Sequence, residues 1–231
     1  MRWADLDSLN HVNNVVYLDY AAEARSVLVD EGVVDGTADI TSMTVRFQRP
    51  MRLGRTPVLV TSTLDGSTLT QQISVDSDGS GAVFAVVTTE FGERRSTAPR
   101  DDLPSVSVNV RRSDLDAAGA VTATKAFELF QESRILHISM HLGAMAPGSF
   151  VVGTSTVVLR EPIGWRSDPY EASVWVSRVG RGSFEIRSEL SDGLTVLAES
   201  TTVLVGFDPG TQRSRPFRED ERAQLSELVR D

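Results

Sequence analysis

The pattern of hydrophobic and polar positions changes from helical to strand spacing after about thirty residues. Val15, Leu18, Ala22 and Val27 recur at the three-to-four-residue spacing of an amphipathic helix over residues 14–31, and Gly32 is placed to end that helix. Short apolar runs separated by turn residues follow, which is typical of antiparallel strands. The predicted strands of this half are 43–47, 58–64, 68–75 and 82–91.

The second half of the chain repeats this order of elements. A helix is predicted over residues 124–138, with Thr122 or Thr124 as its N-cap, and strand-like runs follow. These runs are 150–160, 172–179, 183–190 and 194–207, and an added C-terminal helix is predicted over 219–229.

The two halves also share residues at a constant offset of 109 positions. Residues 2–25 and 111–134 align without a gap and are identical at seven positions, among them Arg25 and Arg134. Such internal similarity indicates a duplicated unit. Each unit is predicted to hold a short strand, a helix and four antiparallel strands, with the helix buried against a curved sheet.

The predicted fold class is therefore α+β: two tandem units, side by side, that form a pseudo-symmetric pair. The polar, proline-bearing stretch between the halves is predicted to be a linker. The predicted boundaries are 1–98 for the first unit, 99–105 for the linker and 106–231 for the second unit with its C-terminal helix.

The amino-acid composition argues against several classes of function. The 231 residues carry a net charge of −9, which argues against a nucleic-acid partner or an anionic membrane surface. The absence of cysteine excludes thiol nucleophiles, disulfides and iron–sulfur clusters. No apolar run reaches the roughly 18 residues that cross a bilayer, and no secretory leader is recognised, so a cytoplasmic location is expected.

The densest cluster of polar residues lies at 5–14, immediately before the first helix. The Asp7 carboxylate could act there as general base or as nucleophile, and His11 and Asn13 could orient water or substrate. Backbone N–H groups at Asn14 and Val15, at the helix start, could stabilise an oxyanion. The alternative interpretation is that these residues only cap the helix and close a turn.

The second half keeps only part of this cluster. Asp116 aligns with Asp7, whereas Ala120 and Thr122 stand where the first half has His11 and Asn13. We expect the first cluster to be the working one, with Asp116 a possible second site that is degenerate or structural.

Residues 3–17, which read WADLDSLNHVNNVVY, resemble the signature of hot-dog-fold acyl thioesterases. They are similar to the 4-hydroxybenzoyl-CoA thioesterase-like group and to the plant acyl-carrier-protein (acyl-ACP) thioesterases. The resemblance implies an active-site role for Asp7 and, from the plant enzymes, for His11. The asparagine of the plant motif falls on Leu9, so Asn10 or Asn13 would have to replace it.

The resemblance implies a double hot-dog, in which the sheets of the two units join side by side. It also implies hydrolysis of acyl-CoA or acyl-ACP thioesters, with coenzyme A or phosphopantetheine as part of the substrate. No metal and no separate cofactor is expected, and the family's tendency to associate suggests a homo-oligomer, a dimer of double hot-dogs. The alternative function is a non-catalytic module that binds acyl thioesters. The spacing of aspartate and histidine does not match a hydratase.

Arginines form the remaining candidate site. Arg49 and Arg52 belong to a set that recurs every third residue, and Arg178 and Arg181 lie near a predicted turn. They could bind the phosphates of coenzyme A, or they could be solvated arginines at strand ends.

Overall fold

A computed structural model describes residues 1–7, 11–75, 81–143 and 148–230 of the chain. These residues form two compact units, Met1–Glu93 and Arg94–Asp231. Each unit is described by itself below.

The first unit is one helix lying on a four-stranded antiparallel sheet. Alternating side chains along the strands face the helix; in β1, for example, Met43 and Val45 are buried. Tyr17, Leu18 and Ala21 form the buried face of α1. The elements are α1 (Asn14–Asp30), β1 (Ile40–Phe47), β2 (Val58–Asp65), β3 (Thr68–Val75) and β4 (Ala82–Phe91), and the strand order is β2-β3-β4-β1.

The second unit repeats this plan with additions at both ends. Its sheet has the order β6-β9-β8-β7-β5, with β10 paired to β9. A short C-terminal helix docks on β7, where Arg230 N–H donates to the carbonyl of Val176 at 2.9 Å. The elements are β5 (Ser105–Val108), α2 (Ala123–His141), β6 (Phe150–Leu159), β7 (Tyr170–Val179), β8 (Ser183–Ser191), β9 (Val196–Asp208), β10 (Arg213–Ser214) and α3 (Glu219–Glu227).

The expectation of a short first strand in both units is wrong for the first unit. Its described N-terminal residues, 1–7, contain a single 3-10 turn, Trp3–Asp5, whereas the second unit has strand β5 before the matching turn. The turn forms because the Arg2 N–H donates to the Asp5 carboxylate at 2.6 Å, and the Arg111 N–H donates to Asp114 at 2.7 Å in the second unit.

The segment predicted as a linker, 99–105, lies within the second unit, whose range begins at Arg94. The carbonyl of Thr97 accepts a hydrogen bond from the Val196 N–H at 2.9 Å, and the Arg100 side chain pairs with Glu189. The boundary between the compact units therefore falls between Glu93 and Arg94, because these contacts fasten the following residues to the second sheet.

Within the described ranges, none of the helices combines the length and the apolar character that a membrane span requires.

Candidate functional site

The loop before α1 is closed by a reciprocal pair of hydrogen bonds between Asp7 and His11. The Asp7 N–H donates to the His11 carbonyl at 2.8 Å, and the His11 N–H donates to Asp7 Oδ1 at 3.0 Å. The bonds bring the backbones of the two predicted site residues together, with His11 buried and Asp7 half-buried. Leu9 and Asn10, considered above for the family's asparagine, lie outside the described residues.

Met51 fastens this loop to the chain that follows β1. Its carbonyl accepts a hydrogen bond from the Val12 N–H at 2.8 Å, and its N–H donates to the Tyr17 hydroxyl at 3.0 Å. Burial raises the pKa of Tyr17 to about 12; the bond from Met51 opposes the rise and the Asp7 carboxylate adds to it. The Tyr17 phenol is therefore neutral at physiological pH and lies within electrostatic range of Asp7.

Asn13, expected from the sequence to orient water or substrate, caps the helix. Its side-chain Oδ1 accepts a hydrogen bond from the Val15 N–H at 3.2 Å, so Asn13 is the N-cap of α1. The Val15 N–H, which the sequence suggested as an oxyanion donor, thus has an acceptor within the chain. The described residues offer no acceptor to the Asn14 N–H, which leaves it as the helix-start amide available to a ligand.

A second carboxylate, Asp5, is hydrogen-bonded to the residues around the loop. It is buried, and its carboxylate accepts hydrogen bonds from the Arg2 N–H and, at 3.3 Å, from the Tyr20 hydroxyl. Its carbonyl accepts from the Asn13 N–H at 2.8 Å, which ties the turn to the helix cap. Burial, followed by the charge of Asp5, raises the pKa of Tyr20 to about 12. Asp5 therefore connects the 3-10 turn to α1 through Tyr20 and the cap residue Asn13.

The second unit reproduces the loop without its imidazole. Asp116 N–H donates to the Ala120 carbonyl at 2.8 Å, and Asp116 Oδ1 accepts from the Ala120 N–H at 3.0 Å. Val121 donates to the Ile163 carbonyl at 2.8 Å, as Val12 does to Met51. Loop closure by the aspartate is therefore structural in both units. What distinguishes Asp7 is its partly buried setting beside His11, since Asp116 is exposed.

The structure places the four candidate phosphate-binding arginines in two separate units. Arg49 and Arg52 are exposed on either side of Met51, so the loop and these arginines lie on one continuous stretch of the first unit. The guanidinium of Arg49 lies 5.8 Å from the ring centre of Phe84. Arg178 and Arg181 are exposed at the β7–β8 turn of the second unit.

Sequence reasoning missed a polar cavity in the second unit. It has a volume of about 130 Å³ and includes Arg100, Trp175, Arg187, Glu189 and Glu199. Glu189 and Glu199 lie directly opposite each other on β8 and β9. The strand alternation could have placed them on one face, but only the structure shows that Arg100 pairs with Glu189 there.

The histidine pair on α2 is partly buried. The rings of His137 and His141 lie 4.7 Å apart, and burial, together with the neighbouring His141, lowers the pKa of His137 to about 4. Across the described ranges, no cluster of three or more histidine or acidic side chains has a geometry suited to a metal ion.

Comparison with known proteins identifies the family that the N-terminal residues match. Residues 1–92 match the model of the Thioesterase-like superfamily. A search of curated proteins finds no match.

Solved structures extend the likeness to both units. A thioesterase from Thermus thermophilus, complexed with coenzyme A and Zn, is 26% identical, with a TM-score of 0.50 over 56% of this chain and 97% of its own. The 12:0-ACP thioesterase from Umbellularia californica is 13% identical, with a TM-score of 0.66 over 94% of this chain and 92% of its own. An acyl-ACP thioesterase from Bacteroides thetaiotaomicron is 9% identical, with a TM-score of 0.59 over 88% of this chain and 94% of its own. The expected double hot-dog fold and the resemblance to hot-dog thioesterases are confirmed.

Proposed function

We propose that this chain, whose first 92 residues match the Thioesterase-like superfamily, is an acyl thioesterase. It hydrolyses an acyl-CoA or acyl-ACP thioester to a free acid and a thiol. The observation that carries the proposal is the half-buried Asp7 carboxylate, held by His11 in a closed loop that leads directly into the N-terminus of α1.

Thioester hydrolysis needs a group that activates water or attacks the carbonyl, and a group that stabilises the negative charge on the carbonyl oxygen. With Asp7 as general base, its carboxylate takes a proton from water while the water oxygen attacks the thioester carbonyl. With Asp7 as nucleophile, the carboxylate attacks first and water then hydrolyses the acyl-enzyme anhydride. In either route the carbon–sulfur bond breaks and the thiolate leaves, taking a proton to become the thiol.

The N-terminus of α1 would provide the group that stabilises the negative charge. The Asn14 N–H and the positive end of the α1 dipole would stabilise the oxyanion that forms on the carbonyl oxygen. Asn13 contributes by capping the helix and so fixing the direction of that N–H. His11 contributes through its backbone bonds, which set the position of Asp7.

The exposed Arg49 and Arg52 would bind phosphate groups of coenzyme A or of a carrier protein's phosphopantetheine. They flank Met51, which is hydrogen-bonded to the loop of the candidate site, so a thioester at Asp7 and a phosphate at these arginines could belong to one substrate. A cytoplasmic location and a dimer of double hot-dogs fit this proposal.

A binding module without hydrolysis is the second candidate. It is favoured by Asp116, whose loop bonds match those of Asp7 and show that an aspartate can serve there for folding alone. In that case acyl thioesters would bind and remain intact.

Thiol release from a panel of acyl-CoAs with short, medium, long and aromatic acyl groups separates the two candidates. Because the chain has no cysteine, a thiol-reactive dye reports only the released thiol. Turnover of any member supports the thioesterase, and acyl-ACP substrates are tested in the same way. Tight binding of acyl-CoA and acyl-ACP without release from either would overturn it in favour of the binding module.

A further inference from the structure

A buried arginine in the second unit has no acidic partner among the residues that the structure describes. Arg134 lies on α2 with 7% of its surface exposed, and its guanidinium donates to the Thr202 hydroxyl at 3.3 Å. Within the described ranges, no carboxylate pairs with it. Burial lowers the pKa of Arg134 to about 10, and at physiological pH it stays charged. An isolated buried charge is costly, and buried charges in proteins are normally paired with an opposite charge.

Hydroxyl groups line the part of the sheet that this arginine faces. Ser155 on β6 lies opposite Thr202 on β9, and their hydroxyl oxygens are 2.9 Å apart. Ser200 on β9 lies opposite Ser188 on β8, and all four residues are buried. Because side chains two apart on a strand share a face, these hydroxyls form one band across three strands below α2. Guanidinium and hydroxyl groups commonly bind oxyanions in proteins, because both donate hydrogen bonds and the guanidinium also carries a positive charge.

The first unit has an arginine that aligns with Arg134, but it has methionine at the position equivalent to Ser155. Arg25 aligns with Arg134, and its Nη1 is buried without a partner among the described residues. The two sheets can be aligned on a hydrogen bond that both units share: Val12 donates to Met51, and Val121 donates to Ile163. Met43 and Ser155 each lie eight residues before the acceptor of that bond, so they occupy equivalent positions. Opposite Met43 lies Thr89, as Thr202 lies opposite Ser155. The two-hydroxyl arrangement is therefore a property of the second unit.

We infer that the interior of the second unit binds an oxyanion, a carboxylate or a phosphate group, between α2 and the sheet. Arg134 supplies the charge. The Thr202 and Ser155 hydroxyls are hydrogen-bonded to each other, and the one that accepts in that bond donates its own hydrogen to the ligand. The inference is independent of the proposed hydrolysis, because none of these residues belongs to the loop at Asp7.

Thermal unfolding of the full chain tests this inference without measuring activity. Sodium phosphate and sodium octanoate are compared with sodium chloride at equal ionic strength and pH. A ligand that binds only the folded state raises Tm in proportion to its occupancy. We expect a saturable rise of a few degrees with phosphate, octanoate or both, and the pattern identifies which oxyanion the site takes.

Variants show whether Arg134 is responsible. Arg134→Met should abolish the oxyanion-dependent rise, whereas Arg213→Met, at an exposed position of β10, should leave it unchanged. Thr202→Val keeps the side-chain shape and should raise the half-saturation concentration several-fold, which provides a test even if Arg134→Met does not fold. No difference between chloride and both oxyanions in the natural sequence would overturn the inference. An undiminished rise in Arg134→Met or, where that variant does not fold, in Thr202→Val would overturn it as well.

Discussion

The Tyr17 hydroxyl accepts a hydrogen bond from the backbone N–H of Met51 at 3.0 Å. The carbonyl of the same residue accepts from Val12, so a side chain of α1 holds the segment on which the Asp7 loop closes. In the second unit Ala126 stands at the aligned helix position, and Val121 still donates to Ile163. The tyrosine is thus an addition of the unit that carries Asp7.

Replacing Tyr17 by phenylalanine should lower both stability and turnover. The buried Met51 N–H would lose its acceptor, which costs about 1–3 kcal/mol of unfolding free energy. We expect kcat to fall several-fold because the Asp7 loop loses part of its support, as measured by thiol release and by urea unfolding. Tyr170→Phe is the matched control: it removes a hydroxyl bonded to the Gly164 carbonyl in the second unit and should leave kcat unchanged. Equal kcat values for the two variants would contradict the positioning role.

The arginines beside Met51 should affect substrate binding more than chemistry. Arg52→Ala, and Arg49→Ala separately, should raise KM for acyl-CoA several-fold with little change in kcat, because a phosphate contact far from the carbonyl stabilises substrate and transition state alike. The effect should shrink at high salt, since exposed charges are screened. Arg213→Ala controls for the loss of one exposed positive charge, and a KM change of the same size in that variant would argue against a phosphate site.

The free energy of unfolding should depend on pH through the protonation of His137. Its pKa is about 4 in the folded protein, well below the ordinary value of 6.5, so between these two values the unfolded chain binds more protons. Stability should therefore fall as pH is lowered from about 6.5 towards 4, by on the order of 3 kcal/mol for this group.

Two histidine variants isolate this contribution. His137→Phe should flatten the Tm profile between pH 7 and 4, whereas His141→Gln should retain most of the slope. A profile that is equally steep in His137→Phe would show that another group is responsible.

The C-terminal helix should depend on the pair Arg215 and Glu221. Two guanidinium nitrogens donate to the two oxygens of the fully buried carboxylate, each at 2.7 Å, and these bonds hold the pKa of Glu221 at about 2. Arg215→Met leaves a buried charge without its main partner and should destabilise the protein by about 3–5 kcal/mol. The double variant Arg215→Met with Glu221→Leu should recover much of this loss in chemical unfolding, and no recovery would contradict the assignment.

Several elements could be predicted from the sequence because their signals are local. Strands Thr68–Val75 and Ala82–Phe91 have the predicted bounds, since apolar alternation and flanking turn residues define both ends. Helix α2 extends three residues beyond its predicted end at 138, to His141, and Gly143 follows its C-cap Leu142.

The site was only partly predictable. The resemblance and the polar cluster predict Asp7 and His11 as site residues, and the structure brings their backbones together. The hydrogen bond from the Val15 N–H to Asn13 depends on a side-chain rotamer. The bond from Met51 to Tyr17 joins residues 34 positions apart, and no sequence spacing predicts it. In the sequence Arg134 stands out only as a repeated residue, because its burial without a carboxylate arises from tertiary packing.

The most direct test compares Asp7→Asn with Asp116→Asn in the thiol-release assay. Asparagine Oδ1 can still accept the loop's backbone N–H, so both variants should fold, yet the amide can neither take a proton nor attack a carbonyl. The account predicts a loss of kcat of at least about 100-fold for Asp7→Asn and nearly full activity for Asp116→Asn. Full activity in Asp7→Asn, or loss confined to Asp116→Asn, would contradict the assignment of the working site to the first unit.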